Sequence, residues 1–206
     1  MIIDLTMEIT SMMPVYPGDD LVKLQEIKSF EKDGYCNHRF ETGMHIGTHL
    51  DGPMHMTNSK LYISDIKLDN LIGKGVLINC KDVDIIDYEN GYEELINEGC
   101  IVAINTGHSK NFHSEDYFDK HPVMTKAFAE LLIRKKVKAV CVDLPSPDMY
   151  PFDIHKMLLN SGIFIGENLV NLERLEELMD FEIFIVPLNI RADGAMARIF
   201  GRTLDE

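Results

Sequence analysis

The stretch His45-Ile-Gly-Thr-His-Leu-Asp-Gly-Pro-Met-His55 ("HIGTHLDGPMH") decides how this chain is read. It sets His45, His49, Asp51 and His55 within eleven residues, beside two glycines and a proline. A His-x-x-x-His pair on a helix would put both rings on one face. Gly47, Gly52 and Pro53 oppose a helix, and so do the β-branched Ile46 and Thr48. An extended chain is the better expectation. Side chains at 45, 47, 49 and 51 then share one side, because strand side chains alternate with a period of two. His45, His49 and Asp51 converge there, and Gly47 leaves room for an ion. The Gly52-Pro53 turn lets His55 reach the same space. Two imidazoles and a carboxylate suit Zn²⁺, Mn²⁺ or Fe²⁺. Three protein ligands leave a position for water, whose pKa a metal lowers from about 15.7 to about 7. A further histidine beside it could carry protons. The competing reading is a polar, histidine-rich loop without metal.

Working outward, strands are expected at "MIIDLT" (1–6), "LVKLQEIKSF" (21–30), "YCNHRFETGMHIGTHLD" (35–51), "KGVLINC" (74–80) and "GCIVAINTG" (99–107). The list continues with "VKAVCVDL" (137–144), "GIFIGEN" (162–168) and "FEIFIVPLNI" (181–190). The second of these alternates apolar and polar positions, as a half-buried strand does. Helices are expected at "YEELINEG" (92–99), "MTKAFAELLIRKK" (124–136), "FDIHKMLLNSG" (152–162) and "NLVNLERLEELMD" (168–180). The last carries Leu169, Leu172, Leu175 and Leu178 as a packing stripe. Strands alternating with short helices indicate an α/β domain, and the β-rich start points to a mixed sheet.

The 206 residues are expected to form a single domain, 1–206, able to bury about 70% of the unfolded surface. No disulfide or structural metal is needed for that. Hydrophobic residues at 45% and charged residues at 26% fit a soluble globular chain. With 20 basic against 34 acidic residues the net charge is −14, which argues against nucleic-acid and anionic-membrane partners. Cys36, Cys80, Cys100 and Cys141 show no C-x-x-C spacing, and three of them sit in strand-like contexts. A reduced, cytoplasmic setting follows. The start "MIIDLTMEIT" lacks the basic region of a signal peptide.

The pattern H-x-G-T-H-x-D-x-P-x-H resembles the signature of the cyclase-family metal-dependent hydrolases, which include bacterial kynurenine formamidase and isatin hydrolase. The likeness extends to "PVYPGD" (14–19), "TGHSKNFHSEDYFDKHP" (106–122) and "FIVPLNIRADGAMARIFG" (184–201). The resemblance implies a swivelling β/β/α-type domain, a mixed curved sheet with flanking helices. It implies metal ligation by His45, His49 and Asp51, with His155 and Glu167, twelve residues apart, completing the set for one or two ions. Zn²⁺ is the first choice and Mn²⁺ the alternative. His55 is the implied general acid/base. The implied reaction is hydrolysis of a small amide, N-formylkynurenine first, by metal-activated water. A cyclic amide such as isatin, or a non-catalytic metal and small-molecule binder, is the alternative. A homodimer or larger homo-oligomer is also implied.

Two positions depart from the formamidase pattern. Tyr16 stands where a tryptophan lies against the substrate ring, and the chain has no tryptophan. His108 stands where an aromatic follows the Thr-Gly pair. Both are candidate substrate-binding residues. His113 and His121 are expected to be solvated, and His38 to face solvent or a neighbouring chain.

Overall fold

The computed structural model describes residues 1–204. The last two residues of the expected 1–206 domain lie outside the described residues. Among the described residues twelve strands follow in chain order: β1 (Ile2–Asp4), β2 (Lys23–Lys28), β3 (Asn37–Glu41), β4 (His49–Asp51), β5 (Ile72–Asn79) and β6 (Ile85–Ile86). After them come β7 (Ile101–Asn105), β8 (Val123–Met124), β9 (Ala139–Val142), β10 (Phe164–Glu167), β11 (Phe181–Pro187) and β12 (Gly194–Thr203). The α-helices are α1 (Phe30–Asp33), α2 (Tyr92–Leu95), α3 (Lys126–Arg134) and α4 (Asp153–Asn160).

Strands β5, β7, β9 and β10 run parallel in that order. The rest of the ring is antiparallel. β10 pairs with β4, β4 with the first residues of β12, β12 with β11, and β11 with β5. The sheet therefore closes on itself, and β1 extends it along the far end of β12. This is the mixed, barrel-like curved sheet that the resemblance implies.

Alternation along the parallel strands explains both layers. Val102, Ile104, Val140 and Val142 face α3 and α4, while Ile101, Ala103, Ala139 and Cys141 face the barrel interior. α3 starts at Thr125, whose hydroxyl accepts from Phe128 N at 3.2 Å, a standard N-cap bond. It buries Phe128, Ala129, Leu131 and Leu132 against the sheet. Burying each large side chain is worth roughly 1.5–3 kcal/mol. α4 buries Ile154, Leu158 and Leu159 in the same layer, and this packing fixes the helix from which His155 projects.

Four local expectations are corrected. The 168–180 segment is not an α-helix but a 3₁₀ helix at Leu172–Glu177. Leucines exactly three apart line up at 3.0 residues per turn and drift apart at 3.6. All four leucines are buried in the barrel interior. The 92–99 segment forms a single helical turn, α2. β2 is exposed rather than half-buried, because among the described residues it pairs only with β3, in a two-stranded sheet separate from the barrel. Finally, 45–51 is not one continuous strand. Gly47 has φ +54°, which a glycine adopts at little cost, and only 49–51 remain in strand geometry.

Cys80, Cys100 and Cys141 are buried, Cys36 is exposed, and all four are free thiols. Among the described residues no helix is long and apolar enough to cross a membrane.

Candidate functional site

β4 supplies His49 and Asp51 to one end of the barrel, and the Gly47 bend returns His45 toward them. His45 Nδ1 lies 2.7 Å from Asp51 Oδ1. The role of Gly47 is thus different from the expected one. Its backbone makes the turn, and its carbonyl oxygen accepts from His49 Nδ1 at 2.9 Å. The turn in which His55 N donates to Gly52 O brings His55 back over His45, ring centroids 4.0 Å apart. β10 pairs beside β4 with Glu167 opposite His49, and α4 delivers His155 from the outer layer. All five expected ligand residues, and His55, therefore meet at one place.

Burial makes this meeting chemically demanding. His49, Asp51, His155 and Glu167 are each at most 5% exposed. His49 Nε2 lies 3.3 Å from Asp51 Oδ1 and 3.3 Å from Glu167 Oε2. His155 Nε2 lies 3.1 Å from Asp51 Oδ2 and 3.3 Å from Glu167 Oε1. The outer nitrogens are engaged elsewhere: His49 Nδ1 by Gly47, His155 Nδ1 by Asp148 Oδ1 at 3.2 Å and Ser146 Oγ at 3.3 Å. Each outer nitrogen that donates leaves its Nε2 as a bare lone pair facing carboxylates.

Lone pairs do not attract one another, so the arrangement needs positive charge at its centre. The titration tendencies say the same. Burial alone would lower the His49 pKa, yet Asp51 and Glu167 raise it well above the usual value. His155 is pushed up to about 10 against its burial, through Asp148, Asp51 and Glu167. Burial would raise Asp51, but His49, His155 and His45 hold it well below the carboxylate range. His49 Nε2 and Glu167 Oε1 are buried with no hydrogen-bond partner. A buried polar group left so costs about 1–3 kcal/mol. A divalent cation would satisfy these atoms together. His45, His49 and Asp51 offer donor atoms within 4.8 Å of one another, and so do Asp51, His55 and His155. Imidazole nitrogen with carboxylate oxygen is a donor set that divalent Zn or Mn accepts. The residues fit a metal.

Beside the cluster lies a cavity of about 220 Å³, walled mainly by apolar side chains, among them Met56, Phe112, Phe118 and Phe152. Tyr16 lines it, its ring edge-on to Phe118 at 5.6 Å between centroids. His108 does not line it. It is buried behind the wall, stacked on Tyr117 at 4.8 Å with Nε2 2.9 Å from the Tyr117 carbonyl oxygen. His113 and His38 are exposed as expected, but His121 is buried, its Nδ1 2.9 Å from Pro122 O.

Two acids had no role in the sequence reading. Asp193 Oδ2 lies 2.8 Å from His45 Nε2 and 3.2 Å from His55 Nδ1, joining the two rings. Its signal was the Asp-Gly turn at 193–194, just before an apolar strand. Asp148 holds His155 and also accepts from Ile154 N at 2.7 Å. A carboxylate shortly before a helix that carries a histidine was its only mark.

Comparisons with known proteins bear on the family and the fold. A family model described as "Putative cyclase" matches residues 3–149. The kynurenine formamidase of Bacillus cytotoxicus is 28% identical over 211 residues, covering 98% of this chain and 97% of its own. Isatin hydrolase A from Labrenzia aggregata, bound to benzyl benzoate, superposes with a TM-score of 0.87 at 22% identity, over 100% of this chain and 94% of that one. A structure described as a potential metal-dependent hydrolase with cyclase activity gives 0.79 at 25% identity, over 98% and 96%. The superpositions establish the fold.

Proposed function

The chain belongs to the family described as putative cyclases, and from that premise we propose that it is a metal-dependent hydrolase of a small amide, with an N-formyl arylamine such as N-formylkynurenine as leading substrate. The observation that carries the reading is the convergence of His49 Nε2, His155 Nε2, Asp51 and Glu167 on one buried point beside an apolar cavity. The near-full-length likeness to a kynurenine formamidase supports the choice of substrate.

His45, His49, Asp51, His155 and Glu167 would hold one divalent ion or two, with zinc the first choice and manganese the second. Such an ion supplies Lewis acidity, which makes water acidic enough to attack near neutral pH and draws electron density from a carbonyl. The chain does the rest. Gly47 O and Asp148 fix the tautomers of His49 and His155, so that both Nε2 lone pairs face inward. Asp193 accepts from His55 Nδ1, which leaves Nε2 to take a proton from the attacking water and return one to the departing nitrogen. A non-catalytic binder has no use for such a pair. Tyr16 stacks on the aryl group, and Phe112, Phe118 and Phe152 exclude water around it. His108, behind Tyr117, makes no substrate contact in this reading.

The reading includes self-association and a reducing, cytoplasmic setting. The hairpin of β2 and β3 leaves Leu24, Ile27 and Phe40 at least a third exposed, and an isolated two-stranded hairpin is marginal in water. Four free thiols suit a reducing compartment.

The test is hydrolysis of N-formylkynurenine, formanilide and isatin by metal-loaded and chelator-stripped protein. Chelator-sensitive, metal-restored turnover of the formamides is expected. Metal binding without turnover of any of the three would refute the hydrolase.

A further inference from the structure

Next to Glu167 stands Asn168, whose side chain the proposed chemistry has not used. It is 5% exposed and lines the cavity. Its backbone is held on both sides: the amide N donates to Leu144 O at 2.9 Å, and the carbonyl oxygen accepts from Thr48 Oγ1 at 2.7 Å. Its side-chain Oδ1 accepts from the Tyr117 hydroxyl at 2.7 Å. Tyr117 is fully buried, and burial raises its phenol pKa, with Asp143 and Glu167 adding to the effect, so the hydroxyl keeps its proton. Oδ1 of Asn168 is the partner to which it donates. That bond fixes the amide's orientation, since a flipped amide would set N–H against the hydroxyl and orphan the phenol proton.

With Oδ1 occupied, Nδ2 has no partner among the described residues, yet it keeps some accessible surface on a residue that lines the cavity. An amide N–H₂ left unpaired inside a mostly apolar cavity is a donor waiting for an acceptor. It is also neutral, so it can favour developing charge on an oxygen without competing for the carboxylates of the cluster. The support behind Tyr117 is extensive. Its ring stacks on His108, meets Phe112 and Phe118 edge-on at 5.1 and 5.0 Å, and its carbonyl oxygen bonds His108. His108 in turn follows Thr106 and Gly107, which Asp143 clamps through three hydrogen bonds of 2.7–2.9 Å.

We propose that Asn168 is a substrate-contacting residue whose Nδ2 donates a hydrogen bond to the carbonyl oxygen of an amide or aryl ketone in the cavity, and that Tyr117 is the positioning residue that orients it. The kinetic side of this assignment rests on the hydrolase reading; the binding side does not. A purely structural reason for asparagine also exists, because residue 168 has φ +54°, a conformation asparagine tolerates better than most residues. Glycine tolerates it too, so Asn168→Gly removes the amide and keeps the backbone.

The experiment uses full-length metal-loaded protein labelled with ¹⁵N-asparagine. The Asn168 side-chain pair is identified by its loss in Asn168→Gly, and formanilide and benzamide are the titrated probes. Saturable shifts of this pair are expected, and in Tyr117→Phe the pair should shift less and broaden. An unmoved pair up to the solubility of both probes overturns the proposal. In turnover, loss of a preorganised donor to the reacting oxygen costs roughly 100- to 1,000-fold in kcat. Asn168→Gly should show that loss with metal content unchanged. Tyr117→Phe should lose less, mainly in kcat rather than KM, and add nothing in the double variant. A kcat within three-fold of wild type for Asn168→Gly also overturns it. Should wild type hydrolyse none of the amides, the hydrolase reading falls and the labelled pair alone decides the role of Asn168.

Discussion

Alanine at Gly194 would place a Cβ 2.5 Å from Cε1, 2.9 Å from Nε2 and 3.1 Å from Nδ1 of His45. Carbon atoms in contact prefer about 3.5–4.0 Å, so the ring must retreat by roughly 1 Å. Residue 194 cannot easily yield instead, because it pairs with Asp51 where β12 closes the barrel against β4. The retreat stretches the 2.7 Å contact to Asp51 and the 2.8 Å contact to Asp193 beyond hydrogen-bond range. A misplacement of about 1 Å at a reacting centre can cost roughly 100-fold in rate. Gly194→Ala should therefore lower kcat/KM on N-formylkynurenine about 100-fold. Metal affinity, read by competition with a chromophoric chelator, should fall about ten-fold or more, the scale seen when support for a ligand is lost. Gly43→Ala is the matched control, since a Cβ there meets nothing within 4 Å. If Gly194→Ala bound metal as tightly as wild type and kept kcat/KM within three-fold, His45 would not be held where the reasoning requires.

Other perturbations separate the remaining roles. His55→Ala should lose about 10²–10⁴-fold in kcat, the usual contribution of a general acid/base, while metal per chain by elemental analysis stays at the wild-type value. Unchanged turnover would remove His55 from the chemistry. Asp148→Asn removes the carboxylate that holds His155 Nδ1, and metal affinity should weaken about 10- to 100-fold; an unchanged chelator competition would contradict that. Metal at 100 times its dissociation constant stabilises by about 2.7 kcal/mol. For a chain of this size each kcal/mol moves Tm by about 2–4 °C, so stripping the metal should lower Tm by about 5–10 °C in calorimetry. Identical melting with and without chelator would mean that the cluster holds no ion. Leu131→Ala, in the fully buried face of α3, should cost about 2–5 kcal/mol in denaturant unfolding without changing metal stoichiometry.

Strand identity was legible where both faces of a strand are buried. "GCIVAI" and "AVCVDL" carry the β-branched runs that parallel strands need, and they became β7 and β9. The leucine stripe is legible as packing, but a period of three does not by itself separate an α-helix from a 3₁₀ helix, and only the barrel interior shows why the tighter helix fits. For the site, the motif from 45 to 55 and the His155–Glu167 pair were visible as residue types. How they meet was not. A strand register put Gly47 beside an ion, whereas the chain uses it to turn back, because His45 must reach Asp51 over a gap a straight strand would not close. Asp193, 142 residues beyond Asp51, arrives through the pairing of β4 with β12, a contact no local pattern encodes. His108 was misleading for a related reason. A histidine after a Thr-Gly turn is equally compatible with facing the cavity or buttressing its wall, and the stacking on Tyr117 decides it.

The most direct measurement is titration of chelator-stripped protein with Zn²⁺, followed by the imidazole ¹⁵N resonances of His49 and His155. Both rings should shift at Nε2, saturably and at a fixed ratio of metal to chain, while their Nδ1 signals remain those of hydrogen-bonded N–H. Rings that keep their metal-free signals through a large excess of Zn²⁺ would contradict a metal centre at this end of the barrel.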